Sequence, residues 1–163
     1  MRYMPRKRSA RFFMVAMAVA LAGCAGAPPE RIPVAPDTAC SAAAAGEALV
    51  GNWLSVRRES GVAGELRTLI SLRVDGTMNY EEQLSRPRRG PQGLSEAGCW
   101  HRQGSTLVLR TLESNGSPVD LDDPIYVNRY QVVRQTGDRI TLRTQEGVRL
   151  ESRRMPPDYR LPL

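Results

Sequence analysis

From residue 53 onward the chain repeats one unit: a short run that alternates apolar and polar residues, followed by a tight turn. Eight such runs cover residues 53–59, 66–74, 77–84, 98–102, 106–112, 125–134, 139–145 and 148–154. Within them Ile70, Leu72 and Val74 fall on one face and Ser71 and Arg73 on the other, the period of a strand with one buried side. The turns constrain topology more than the strands do. Asp75-Gly76 reads as a two-residue type I′ hairpin turn, and Gln103-Gly104, Thr136-Gly137-Asp138 and Glu146-Gly147 are short glycine-containing turns. Parallel neighbours need a crossover of about a dozen residues or more, so these connections force antiparallel pairing. A sandwich or open sheet of these strands would leave exposed edges. Closure removes them, and the predicted fold is all-β: an eight-stranded antiparallel up-and-down barrel. Residues 41–49 are predicted to form one short helix before it, with Ser41 as N-cap and Gly46 or Gly51 near its end.

The amino-terminal segment follows different rules. Arg2, Arg6, Lys7, Arg8 and Arg11 precede an apolar run of about 11 residues, Phe12 to Ala22, which then meets Leu21-Ala22-Gly23-Cys24. A permanent membrane helix needs roughly 20 apolar residues, whereas this length suits a cleavable export signal. The charges agree. The whole chain carries +6, but 18 basic and 17 acidic residues remain from Cys24 onward, a net charge of +1. The basicity belongs to the leader, and no nucleic-acid partner is expected.

Leu21-Ala22-Gly23-Cys24 resembles the lipobox of bacterial lipoproteins at every position. The resemblance implies that residues 1–23 are removed, that Cys24 receives diacylglycerol and further acyl chains, and that the membrane is a partner through that lipid. Two or more chains make such attachment stable. Ala25 stands where an Asp would resemble an inner-membrane retention signal, which points to the periplasmic face of the outer membrane. Residues 24–47, with Pro28, Pro29, Pro33 and Pro36, read as a semi-rigid tether. The barrel is expected over 48–155, with a tail at 156–163.

Gly51-Asn52-Trp53 opening the first strand, with the hairpin at Asp75-Gly76 and basic residues in the last strand, resembles lipocalins and small bacterial lipocalin-like lipoproteins. In that family the Trp sits at the closed end of the barrel under an arginine of the last strand. The resemblance implies a structural pair of Trp53 with Arg153 or Arg149, and an interior that either holds one small ligand or is filled by side chains. The mature sequence has no Phe, which argues against a large apolar pocket.

Cys40 and Cys99 are the thiols left once Cys24 is acylated, and an exported chain meets an oxidising compartment, so they are expected to pair. His101 is the sole histidine; Cys99-x-His101 lacks the ligands of a metal site, and no nucleophile motif accompanies it. Neither cofactor, metal nor enzymatic activity is expected. Asp120, Asp122 and Asp123 lack the glycine and distal glutamate of a calcium loop. Arg86, Arg88 and Arg89 form a basic loop able to grip oxyanions. The sequence thus describes an envelope lipoprotein whose barrel binds a small apolar ligand or an envelope protein, with Tyr80 and Trp100 as candidate lining. Inhibition of a hydrolase and a structural role in outer-membrane assembly are the alternatives.

Overall fold

The structure, a computed structural model, describes residues 39–161; the expected leader, Cys24 and the part of the expected tether up to residue 38 lie outside the described residues. Among the described residues nine strands form: β1 Gly51–Arg57, β2 Glu65–Leu72, β3 Thr77–Ser85, β4 Gln92–Gln103, β5 Thr106–Ser114, β6 Ser117–Pro118, β7 Val127–Gln135, β8 Arg139–Arg143 and β9 Arg149–Met155. Strands β1 to β5 pair in sequence, β5 pairs with β7, β7 to β9 pair in sequence, and β9 returns to β1, all antiparallel. The eight long strands close into an up-and-down barrel. β6 only prolongs the end of β5, through the hairpin Ser114-Asn115-Gly116-Ser117.

Pairing registers fix which side chains point inward. Trp53 faces Ile70 on one side and Arg154 on the other; Tyr130 faces Leu107, and Leu142 faces Val132 and Leu150. Trp53, Ile70, Leu107, Tyr130, Leu142 and Leu150 join Leu49, Leu72, Met78, Trp100, Leu109 and Ile140 in one buried cluster, an aliphatic core around two tryptophans, with Val132 packed against it. A second, smaller cluster lies outside the wall. There Tyr159 and Leu161 cover Leu54 and Leu69, and the Asn52 amide donates to the carbonyls of Pro156 and Pro157 at 2.9 and 3.0 Å, fixing the C-terminal segment in place.

Two local expectations are corrected. Residues 41–49 form no helix. Single turns replace it, with Glu47 N–H donating to Ala44 and Val50 N–H to Glu47. The alanines favour a helix, but the segment is held at both ends: Cys40 is bonded to Cys99 and Ala43 N–H donates to the Val74 carbonyl, while the Ala48 and Val50 carbonyls accept from Arg154. It crosses the β2–β3 turn as a strap. That crossing explains Gly76, where a Cβ would lie 1.8 Å from the Ser41 carbonyl oxygen. The β2–β3 connection is also not a type I′ turn, which needs positive φ at two central residues. Only Gly76 has it, at +81°, so Val74-Asp75-Gly76 makes a three-residue loop closed by Arg73 and Thr77, and Val74 is exposed. The two-residue turn with both φ positive is Asn115-Gly116, at +48° and +78°.

Candidate functional site

The barrel's two ends are built differently. At the closed end lie the strap, the β2–β3 loop and the short β4–β5 and β7–β8 turns; the open end carries loops 58–64, 86–91, 115–126 and 144–148.

Trp53 is fully buried at the closed end and its indole N–H donates to the Leu49 carbonyl at 2.7 Å. Arg154 lies over its ring, 4.1 Å from the centroid, and donates to the carbonyls of Val50, Ala48 and Gly137 at 2.6, 2.9 and 2.7 Å. One guanidinium thereby ties the last strand, the strap and the β7–β8 turn to one indole. The arginine is Arg154, not Arg153 or Arg149: inward positions on β9 are Leu150, Ser152 and Arg154, while Arg149 and Arg153 are exposed on the outer wall. Gly51 makes room for it, since a Cβ there would lie 2.2 Å from Arg154 Nη1. Gly-x-Trp is in this chain a packing requirement.

Trp100 is likewise structural. It is 2% exposed, and its indole N–H donates to the Arg73 carbonyl at 2.9 Å, sealing the closed end from the opposite wall. It lines no opening. Tyr80 sits deeper towards the open end, where its hydroxyl donates to Glu82 Oε2 at 2.8 Å. Around it the interior changes from apolar to polar: Thr68 and Thr111 are buried, Thr68 donates to the same Glu82 oxygen at 3.5 Å, and Thr111 donates to Glu96 at 3.1 Å. Burial, with Glu82 and Glu96 nearby, pushes the Tyr130 phenol up to about 12. Burial moves Tyr80 further the same way, reinforced by Tyr130 and Glu82. Both phenols therefore remain protonated at ordinary pH, and Tyr80 is held as a donor to the Glu82 side chain.

Beyond this layer the mouth opens into a cleft of about 420 Å³. Leu66, Leu84 and Leu94 form its apolar wall, all on inward register positions, with Val62 and Glu59 from the β1–β2 loop at one rim and Arg86 at the other. Glu82 reaches it from the polar layer. Arg88 and Arg89 are exposed on the adjoining loop, and Arg88 takes a positive φ of 63°. Of the candidate ligand contacts, the structure brings only Arg86 and, through Glu82, Tyr80 to one place.

No protein-family model matches this chain, and no curated protein matches it. Among solved structures it is similar to the Cpx pathway activator NlpE from Escherichia coli, at 20% identity and a TM-score of 0.41, over 69% of this chain and 49% of that one. It is also similar to the lipoprotein YedD from Klebsiella pneumoniae subsp. pneumoniae MGH 78578, at 15% identity and a TM-score of 0.42, over 73% and 80% of the two chains. This chain spans about half the length of the NlpE chain.

The remaining sequence candidates fall into structural roles. Cys40 and Cys99 form a disulfide with Cα atoms 5.1 Å apart, pinning the strap to β4. His101 is exposed on β4. Asp120 accepts from Asp122 N–H and Asp123 from Ile125 N–H, so two of the three acidic side chains serve as turn and cap acceptors. Among the described residues no cluster of three or more metal-ligating side chains occurs. Glu82 and Glu96 are the residues that sequence reading missed. Their signal was phase: Glu82 shares a face with Tyr80 and Leu84, and Glu96 with Leu94 and Gly98, which places carboxylates on the inward face.

Proposed function

We propose that this chain is a non-enzymatic envelope lipoprotein, held through acyl chains on Cys24 at the periplasmic face of the outer membrane. Its barrel binds a small, largely apolar ligand at the open mouth, not in the barrel interior. The observation that carries this reading is the contrast inside one cylinder. Buried aliphatic residues and both tryptophans fill the closed half, whereas Leu66, Leu84 and Leu94 stand half-buried around an open cleft beside Glu82. Small-molecule sites have this composition: an apolar wall with a few polar groups that fix orientation. The carboxylate favours a ligand with a hydrogen-bond donor or a cationic head.

The test is native mass spectrometry of the full lipidated chain purified in mild detergent. A co-purifying small molecule is expected, and Leu84→Glu, which puts a charge on the cleft wall, is expected to lose it. A chain that carries nothing, or retains the molecule in the variant, overturns the reading. A stoichiometric protein would favour the second reading, docking to an envelope protein or inhibition of a hydrolase, for which the exposed Arg88 and Arg89 beside the mouth are the supporting feature.

A further inference from the structure

The outer wall of β7, β8 and β9 concentrates positive charge in a way the barrel itself does not need. Arg129, Arg134, Arg139, Arg143, Arg149 and Arg153 are all exposed on these three strands. The register sets Arg139 directly opposite Arg153 and Arg143 directly opposite Arg149. Side chains so paired stand roughly 5 Å apart at Cβ, and like charges there destabilise a sheet. Little on the wall relieves them. Glu151 is the one carboxylate among the outward strand positions, the Asp138–Arg139 pair is long at 3.9 Å with both side chains about four-fifths exposed, and Arg143 donates to the neutral Gln131. The opposite wall differs: on β2 and β3 the outward charges are Glu65, Arg67 and Glu81, and Arg67 is bonded to Glu65 at 2.8 Å.

We infer that this arginine wall docks on the anionic phospholipid headgroups of the membrane to which the chain is anchored. The inference rests on the anchoring through Cys24 proposed above. Three features favour a bilayer surface. The arginines are spread along a convex cylinder wall, where neighbouring strands are about 5 Å apart, so they meet an extended array of phosphates without a complementary shape. Arg134, Arg139 and Arg153 converge, around the single carboxylate of Glu151, on a hollow of about 570 Å³ that also exposes Val56, so phosphate oxygens find guanidinium forks and the adjoining glycerol finds apolar carbon. Val133 and Val148, 44% and 39% exposed, add apolar contact on the same wall and the adjoining β8–β9 turn. Anchoring supplies the last element: only residues 25–39 separate Cys24 from Cys40, which the disulfide pins to the barrel, and even fully stretched they could reach no more than roughly 55 Å, so a weak individual contact becomes a standing one. The barrel then lies on its β7–β9 side and its mouth opens along the membrane surface.

Arginine footprinting tests this on the full lipidated chain, placed in vesicles of phosphatidylcholine alone or mixed with phosphatidylglycerol, treated with phenylglyoxal and read by peptide mass spectrometry. Arg139, Arg143, Arg149 and Arg153 are expected to react several-fold more slowly in the phosphatidylglycerol vesicles, while exposed Arg58 and Arg88 keep one rate throughout. High salt is expected to remove the protection, and R143Q/R149Q, which alters exposed side chains only, to lower it at Arg139 and Arg153. Equal rates in both vesicles overturn the inference, whether the arginines are protected in both or in neither. Protection that appears only when envelope proteins are added overturns it in favour of an acidic protein partner. Failure of the anchor reads differently: the Cys24 peptide would lack acyl mass and the chain would not float with phosphatidylcholine vesicles, yet salt-sensitive flotation with phosphatidylglycerol vesicles would still support the wall.

Discussion

The closed end and the open mouth are made from the same eight strands, yet they obey opposite rules. At the closed end polar hydrogen-bonding groups are used up internally: each indole N–H and all three Arg154 nitrogens meet a backbone carbonyl. At the mouth the leucines are only half-buried, carboxylates point into the lumen, and the loops are long. Stability and recognition are thus separated along the barrel axis. The closed end over-determines one geometry, and the mouth tolerates change because little of the core depends on it.

The comparison breaks first at Trp53. Trp53→Ala removes the largest fully buried side chain together with the platform for Arg154, and a loss of about 3–5 kcal/mol is expected in urea unfolding. Leu84→Ala at the mouth is expected to cost about 1 kcal/mol, since a half-buried side chain buries less area. Equal losses would mean that the two ends do not differ in packing. Next in size is the disulfide. Cys40 and Cys99 are 59 residues apart in sequence, so replacing both with Ser is expected to lower stability by up to about 4 kcal/mol through the entropy of the unfolded chain. The strap should loosen with it, read as faster hydrogen exchange at Ala43 N–H, which now pairs with Val74.

A sharper contrast uses adjacent arginines. Arg154→Ala leaves three carbonyls and the indole face without their partner, and about 2–3 kcal/mol is expected to go. Arg153→Ala, one residue earlier on the outer wall, is expected to change stability by less than about 0.5 kcal/mol. The polar layer between the ends answers to alkali. A phenol raised in the folded state holds its proton where the unfolded chain releases it, so the stabilisation is fully present below pH 10, the ordinary tyrosine value, and is lost as pH rises towards 12, where Tyr130 ionises in the fold. The loss from Tyr130 is expected to be on the order of 2 kcal/mol by the top of that window. Tyr80 is shifted in the same direction and adds to it. Unfolding followed at increasing pH, with tyrosinate absorbance alongside, checks this: ionisation of both tyrosines without any loss of stability would contradict the buried layer.

The barrel was legible because alternation and short turns are local properties that survive in any tertiary context. All eight expected runs are strands, and the turns permitted only antiparallel neighbours. What escaped depends on contacts across the chain. The first half of β4 was missed because its inward positions are Gln92, Leu94 and Glu96, a face with one apolar residue in three. The helix at 41–49 was plausible from its alanines and lost to a disulfide and a crossing that no propensity contains. The arginine over Trp53 was placed one or more residues off, although Leu150 fixes the inward phase and Arg154 shares it. Trp100 and Tyr80 were seen as inward, but inward does not mean accessible: only the register reveals that Trp100 seals the floor and that the unfilled apolar surface lies at Leu66, Leu84 and Leu94.

The smallest expected effect lies at the mouth's basic loop, and it separates recognition from folding most cleanly. Arg88 and Arg89 are exposed, carry no ion pair among the described residues, and sit on a loop that already permits the positive φ of Arg88. R88N/R89S keeps a residue type that tolerates this backbone at position 88, so thermal unfolding should shift by no more than the roughly 0.5 kcal/mol typical of surface changes. A larger loss would mean that the loop braces the barrel, and the division between a rigid floor and a tolerant mouth would then fail at the place where it was most expected to hold.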